Sequence, residues 1–124
     1  MSSKLRYRQL TGDIINAFYC VYNELGHGFL ESVYENALLY ELVKRDFQVK
    51  QQYSIPVYYQ EQLVGDFKAD LLIDDKVILE LKTAKTLAPE HMAQLLNYLK
   101  ATKLEVGLLL NFGPKPQFKR LILT

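Results

Sequence analysis

The hydrophobic period of this chain switches between the helical and the extended spacing several times, and that alternation limits the folds open to it. Thr11 to Leu25 places Ile14, Ile15, Phe18, Val21, Tyr22 and Leu25 at helical spacing, and Gly26 and Gly28 end the segment. A second helix is predicted over 31–44, with Val33, Tyr34, Ala37, Leu38 and Leu42 as its apolar stripe. Glu31 and Glu35 sit early in it and Lys44 and Arg45 close it, which suits the helix dipole. From Phe47 the period falls to two. Phe47, Val49 and Tyr53 alternate with polar residues in a half-buried strand, and Ile55 to Tyr59 is expected as a second strand. After a turn at Gln60-Glu61-Gln62 come Leu63 to Ile73, a turn at Asp74-Asp75-Lys76, and Val77 to Lys82. A third helix opens near Pro89, where proline suits the first helical position, and carries Met92, Leu95, Leu96 and Leu99. Strands at Val106 to Leu110 and Phe118 to Leu123 follow, broken by Asn111-Phe112-Gly113-Pro114. The fold class expected is α/β (α+β): a central mixed β-sheet flanked by helices, with residues 1–124 read as one domain.

Hydrophobic residues make up 49% and charged residues 23%, the balance of a soluble globular chain rather than a collagenous, coiled-coil or disordered one. No apolar run approaches the roughly 18 residues of a membrane span, and the N-terminus has no apolar signal-like region. Cys20, the single cysteine, cannot form an internal disulfide and is expected as a small buried hydrophobe; a cytoplasmic location follows as the expectation. The net charge of +1 is unevenly spread: residues 1–12 hold +3, residues 106–124 hold +3, and the stretch between holds −5. Basic ends around an acidic middle fit either two solvated termini or a phosphate-contacting rim around a cation-binding centre.

The chemistry concentrates in the hairpin over 63–82. Odd positions Phe67, Ala69, Leu71, Ile73, Val77, Leu79 and Leu81 are all apolar, whereas even positions Asp66, Lys68, Asp70, Leu72, Ile78, Glu80 and Lys82 are mostly charged. Side chains alternate across a strand, so one greasy and one charged face are expected. A three-residue loop at 74–76 sets Ile73 against Val77 and Asp70 against Glu80, with Lys82 on the same face. Facing carboxylates repel, and a divalent cation would offset that repulsion. Mg²⁺ suits the pair because it favours one or two carboxylates plus waters and phosphate oxygens. A lysine beside such a site could orient a water or neutralise developing charge.

Other chemistries find less support. His27 and His91 are the only histidines, too few beside one cysteine for a four-ligand zinc site. Neither a Gly-x-Ser-x-Gly elbow nor a Walker motif is present. Most of the nine tyrosines read as sheet formers, although Tyr53, Tyr58 and Tyr59 beside the hairpin could also stack on bases.

Asp70 followed by Glu80-Leu81-Lys82 resembles the core of the PD-(D/E)XK nucleases. Gly28-Phe29-Leu30-Glu31-Ser32-Val33-Tyr34 resembles the GxxExxY signature of one family in that superfamily, and Gln94 to Tyr98 resembles the QxxxY element of some of its branches. Leu108 to Gly113 is similar to the closing strand of that family, so the resemblance runs over nearly the whole chain. The proline expected before the first aspartate is replaced by Ala69. The resemblance implies a restriction-endonuclease-like core and a nuclease that hydrolyses phosphodiester bonds with Mg²⁺ or Mn²⁺. It implies Asp70 and Glu80 as metal ligands with the Leu81 carbonyl as a third, and Lys82 as the catalytic lysine. It further implies Glu31 as the acid near the metal, and Gln94 and Tyr98 on a helix face turned to the site. The partner implied is nucleic acid, DNA foremost, with no membrane involvement; the small size makes a homodimer the expected assembly. The alternative is a catalytically silent module of the same fold that binds nucleic acid or a protein.

Overall fold

Two helices, a three-stranded meander, a crossover helix and a closing hairpin follow one another in the chain. They are α1 (Ser3–Leu25), α2 (Glu31–Lys44), β1 (Val49–Tyr59), β2 (Gln62–Ile73), β3 (Val77–Lys82), α3 (Pro89–Thr102), β4 (Val106–Phe112) and β5 (Pro116–Ile122). The computed structural model describes residues 3–123, with side chains from residue 7 onward. Met1, Ser2 and Thr124, and the Lys4 and Arg6 side chains of the basic N-terminal segment, lie outside the described residues. The strands form one sheet in the order β1-β2-β3-β4-β5. β3 and β4 are parallel, joined through α3, and every other neighbouring pair is antiparallel. The sheet is therefore mixed and the fold α+β, as the periodicity predicts.

Several boundaries differ from expectation. Asn111 and Phe112, expected in the break, continue β4 by pairing with Gln117 and Pro116, so β5 starts before Phe118 and the break shrinks to residues 113–115. α1 begins at Ser3 rather than Thr11, because Tyr7 and Leu10 extend its apolar stripe onto the core. Thr11 fits inside the helix by donating its hydroxyl to the Arg8 carbonyl at 3.2 Å. The two strands expected between Phe47 and Tyr59 are one, β1, which starts at Val49. Pro56 does not break it because β1 lies at the sheet edge, where a missing N–H need not interrupt the ladder. Cys20 is exposed rather than buried, its Sγ 3.2 Å from Nη2 of Arg45.

The expectation of one greasy and one charged face also fails, for a reason that shapes the site. The sheet separates two cores. Leu71, Ile73, Val77, Leu79, Leu81, Val106, Leu108 and Leu110 pack with α1 and α2. Ile55, Ala69, Leu72, Ile78 and Leu109 pack with Leu95, Tyr98 and Leu99 of α3. β3 and β4 are thus buried on both faces, as central strands next to a crossover helix are. Ala69 and Leu71, two residues apart, face opposite cores, so β2 changes phase at Asp70. β1 changes phase alongside it: Val49 packs with α1 and α2, Tyr53 and Ile55 with α3. Between the pairs Gln51↔Leu71 and Tyr53↔Ala69, Gln52 takes a left-handed conformation with φ of 52°. The left-handed residue in β1, opposite Asp70 of β2, marks the point where the alternation turns over.

The loop after β3 is held from β4. The buried Asn111 amide donates to the Ala84 carbonyl and accepts from the Ala84 N–H, both at 2.9 Å. Gly113 allows this approach: a Cβ placed on it would lie 2.1 Å from the Ala84 carbonyl oxygen. The Ala84 backbone and the Asn111 amide bonded to it leave little room to yield. Gly113→Ala is expected to destabilise the protein by about 2 kcal/mol or more, typical of overpacking against an unyielding neighbour, read as a lowered midpoint in urea unfolding.

Candidate functional site

The β2–β3 ladder runs from Ile73↔Val77 to Leu71↔Leu79 and ends there. At the next position the acid side chains supply the bonds. Glu80 Oε2 accepts the Asp70 backbone N–H at 2.7 Å, and Asp70 Oδ2 accepts the Leu81 backbone N–H at 2.7 Å. The two carboxylates are thereby locked side by side where the strands part. Leu79 and Leu81 face α1 and α2, so Glu80 and Lys82 point to the α3 side by alternation. The N–H and C=O of a strand residue point the same way. The Leu81 carbonyl therefore faces the acids as its N–H does.

This cluster is strongly acidic. Glu80 is 4% exposed. Burial, then the charge of Asp70, push its carboxyl up to about 8, against the lowering pull of the Asp70 N–H and Lys82. Asp70 is raised by burial first; the charge of Glu35 adds to this, and the Leu81 N–H, Lys82 and Gln52 oppose it. Glu31 stands more open at the start of α2, and it too is raised, first by partial desolvation and next by Asp70. Lys82 offsets all three from a distance; among the described residues it forms no ion pair with them.

The loop before α2 sets Glu31. Gly28 adopts φ of 121°, which other residues rarely reach. The buried Tyr34 hydroxyl donates to the Gly26 carbonyl and accepts the Phe29 N–H at 3.2 Å. Its ring stacks on Phe112 at 4.4 Å. Tyr34 is a core residue that shapes the loop. Glu31 is not the helix cap, a position held by Leu30, and its carboxyl acts among the acids instead.

Hydrogen bonds join Asp70, Glu80 and the Leu81 backbone, and Lys82, Glu31 and Tyr98 lie near enough to interact electrostatically with the pair. Tyr98 on α3 is buried, and its hydroxyl is raised by burial, Glu80 and Asp70 in that order. Gln94 shares its helix face one turn earlier but is exposed, and no hydrogen bond joins it to the acids. His91 caps α3 by accepting the Ala88 N–H at 3.0 Å, and His27 lies 3.5 Å from the Phe112 carbonyl; neither joins the cluster.

Two residues escaped the sequence analysis. Glu35, nearly buried, accepts from Gln51 Nε2 at 2.7 Å and from Gln52 Nε2 at 3.0 Å. Gln52 lies across from Asp70 and helps hold its carboxylate. Glu35 had one legible signal, its position four residues after Glu31 on the same helix face. Gln52 had none, because its role depends on its left-handed backbone.

Among the described residues, no group of three or more His, Cys, Asp or Glu side chains is gathered to hold an ion by themselves. Two carboxylates and a carbonyl are hard oxygen donors. They suit a cation that keeps waters or phosphate oxygens in its shell, not an all-protein cage.

The model of the PD-(D/E)XK nuclease superfamily matches residues 8–121. The chain belongs to the PD-(D/E)XK nuclease superfamily. Asp70 and Glu80-Leu81-Lys82 fit the spacing of its name-giving pattern, and nucleases of this superfamily generally use divalent metals. Ala69 in place of the proline fits its surroundings. It pairs with Tyr53 in the ladder and is fully buried beside Tyr98, where a smaller residue that keeps its N–H serves. Among solved structures, the fold is similar to that titled "Crystal structure of SSO0001", with a TM-score of 0.60 and 18% identity. That match covers 96% of this chain and 60% of the other, so this PD-(D/E)XK chain spans less than two thirds of its structural relative. No curated protein matches the sequence.

A carboxyl whose folded pKa lies near 8 instead of 4.5 holds its proton more tightly in the folded state. Its contribution is most favourable below pH 4.5 and is lost as pH rises towards 8. Glu80→Gln keeps an oxygen for the Asp70 N–H and removes the charge. In chelator at pH 8 the variant is expected to be more stable than wild type by on the order of 2 kcal/mol, with the difference shrinking towards pH 4.5. Urea unfolding across that range measures it; a variant less stable than wild type at pH 8 would refute the strained-acid account.

Proposed function

We propose that this chain is a metal-dependent nuclease of the GxxExxY family that hydrolyses phosphodiester bonds in nucleic acid, DNA foremost. The observation that carries the reading is the side-by-side pair Asp70 and Glu80, largely withdrawn from water, with Lys82 on the same face and, among the described residues, no ion pair to neutralise it. The family assignment draws support from Gly28, Glu31 and Tyr34, which act as one loop-shaping and site-facing unit.

Asp70, Glu80 and the Leu81 carbonyl would hold Mg²⁺ or Mn²⁺. A bound ion of this kind supplies Lewis acidity towards a phosphodiester and a nearby water. The chain's own groups do the rest. Lys82 offers an ammonium to the negative charge that grows on the phosphate, and can orient the attacking water. Glu31 is poised to accept a proton because its carboxyl is raised. Tyr98 presents a hydroxyl from α3 with Gln94 beside it. A homodimer would widen the surface available to a long strand. A catalytically silent module is the rival reading; the backbone N–H groups of Asp70 and Leu81 favour it, since each satisfies one acid oxygen without an ion.

Single-stranded and duplex DNA and RNA, incubated with Mg²⁺ and with Mn²⁺, form the test. Lys82→Ala is expected to lose on the order of a hundredfold or more in cleavage rate while calorimetry shows metal binding intact, because an ammonium is no ligand for a cation. Asp70→Ala is expected to lose both. Cutting by Lys82→Ala at the wild-type rate would refute the lysine's role, and metal binding with no cleavage in any arm would favour the silent module.

A further inference from the structure

Beside the acids, α3 and the outer parts of β1 and β2 border an opening of about 630 Å³, within the ~300–1,000 Å³ of small-ligand sites. Tyr98 belongs to both places. Its ring lies 5.8 Å from that of Phe67 on the wall of the opening. It also shares a buried cluster with Ala69, the residue before Asp70, and the charges of Glu80 and Asp70 reach its hydroxyl. The opening therefore adjoins the acid pair.

Its walls differ in chemistry. Phe67 is 47% exposed, leaving much of its ring uncovered. From α3, the exposed Gln94, Asn97 and Lys100 line the same opening at three-residue spacing, with Glu90 one turn before Gln94 at the other end. An aromatic face, two amides that both donate and accept, and an edge with Lys100 at one end and Glu90 at the other complement a flat base with a hydrogen-bonding rim, its phosphate towards Lys100 and away from Glu90. An apolar peptide side chain would use Phe67 alone and leave the amides to its backbone, whereas one planar base engages the ring and both amides together.

We propose that this opening takes an unpaired nucleobase of a single-stranded nucleic acid, stacked on Phe67 with its edge towards Gln94 and Asn97. The proposal rests on the nuclease reading and narrows it to single-stranded substrate. A base within a duplex is stacked on both faces and paired at its edge, so it would first have to flip out.

The test is fluorescence anisotropy in chelator, so that no strand is cut. The probes are short fluorescein-labelled strands of DNA, their fully abasic counterparts and their duplexes. Wild type is expected to bind the intact strand on the order of tenfold tighter than the abasic one. Phe67→Ala is expected to abolish that preference without weakening abasic binding. Asn97→Leu, on an exposed helix face, is expected to reduce it severalfold, and keeps the test decisive if Phe67→Ala does not fold. Tyr40→Ala, exposed on α2, is expected to bind as wild type does. Equal wild-type affinity for intact and abasic strands overturns the proposal. So does equal weakening of both by Phe67→Ala, or the same Phe67 dependence with duplex. Cleavage without base-dependent binding overturns the pocket and leaves the nuclease reading standing; base-dependent binding without cleavage in any metal supports the pocket and overturns that reading.

Discussion

Where β2 parts from β3, a backbone ladder ends and two carboxylates take over its work. The Asp70 N–H is accepted by Glu80 and the Leu81 N–H by Asp70. A strand cannot leave its neighbour inside a protein without leaving donors unpaired, and unpaired buried donors are costly. The acids answer that requirement, and in doing so they are fixed next to each other. The arrangement has its own cost, because two like charges are brought together and withdrawn from water. Both carboxyls are raised, Glu80 by burial and the charge of Asp70, Asp70 by burial and the charge of Glu35. Strain of this sort is common at functional sites and is tolerated when the surrounding core is well packed. Here β3 and β4 are buried on both sides, by α1 and α2 on one face and α3 on the other.

The same point in the sheet is where both outer strands turn over. Gln52 in its left-handed conformation and Asp70 across from it mark the phase change, after which β1 and β2 present their apolar residues to α3 instead of α1 and α2. The change explains how one hairpin serves two cores. It also puts Gln52 within reach of both Glu35 and Asp70, so α2 and the sheet meet through a polar network at the site and not through packing alone.

Two loops frame the acids, each tied by a buried polar side chain. Tyr34 ties the loop that leads into α2 and so places Glu31. Asn111 ties the loop that leaves Lys82 by pairing with both backbone groups of Ala84. A buried, fully satisfied polar group has few alternative arrangements, which makes it a good fastener for a segment with no ladder of its own. Phe112 lies between them, stacked on Tyr34 and adjacent to Asn111.

The periodicity of the sequence was enough to place α2, α3 and the hairpin of β2 and β3, because each has a strong local repeat bounded by turn residues. The spacing of Asp70, Glu80 and Lys82 was enough to bring two acids and a lysine together, since a three-residue loop admits one register that keeps apolar residues in phase near it. What the repeat could not show is anything that depends on a neighbour. Alternation assumes an unbroken strand, so the exchange of faces at Asp70 was invisible, and with it the burial of Glu80 beneath α3 and the parts played by Glu35 and Gln52. Sequence alone determined which residues carry charge and how far apart along the chain they lie. Only the tertiary structure decided which of those charges lose their water, because desolvation is set by what packs over a residue and not by what precedes it.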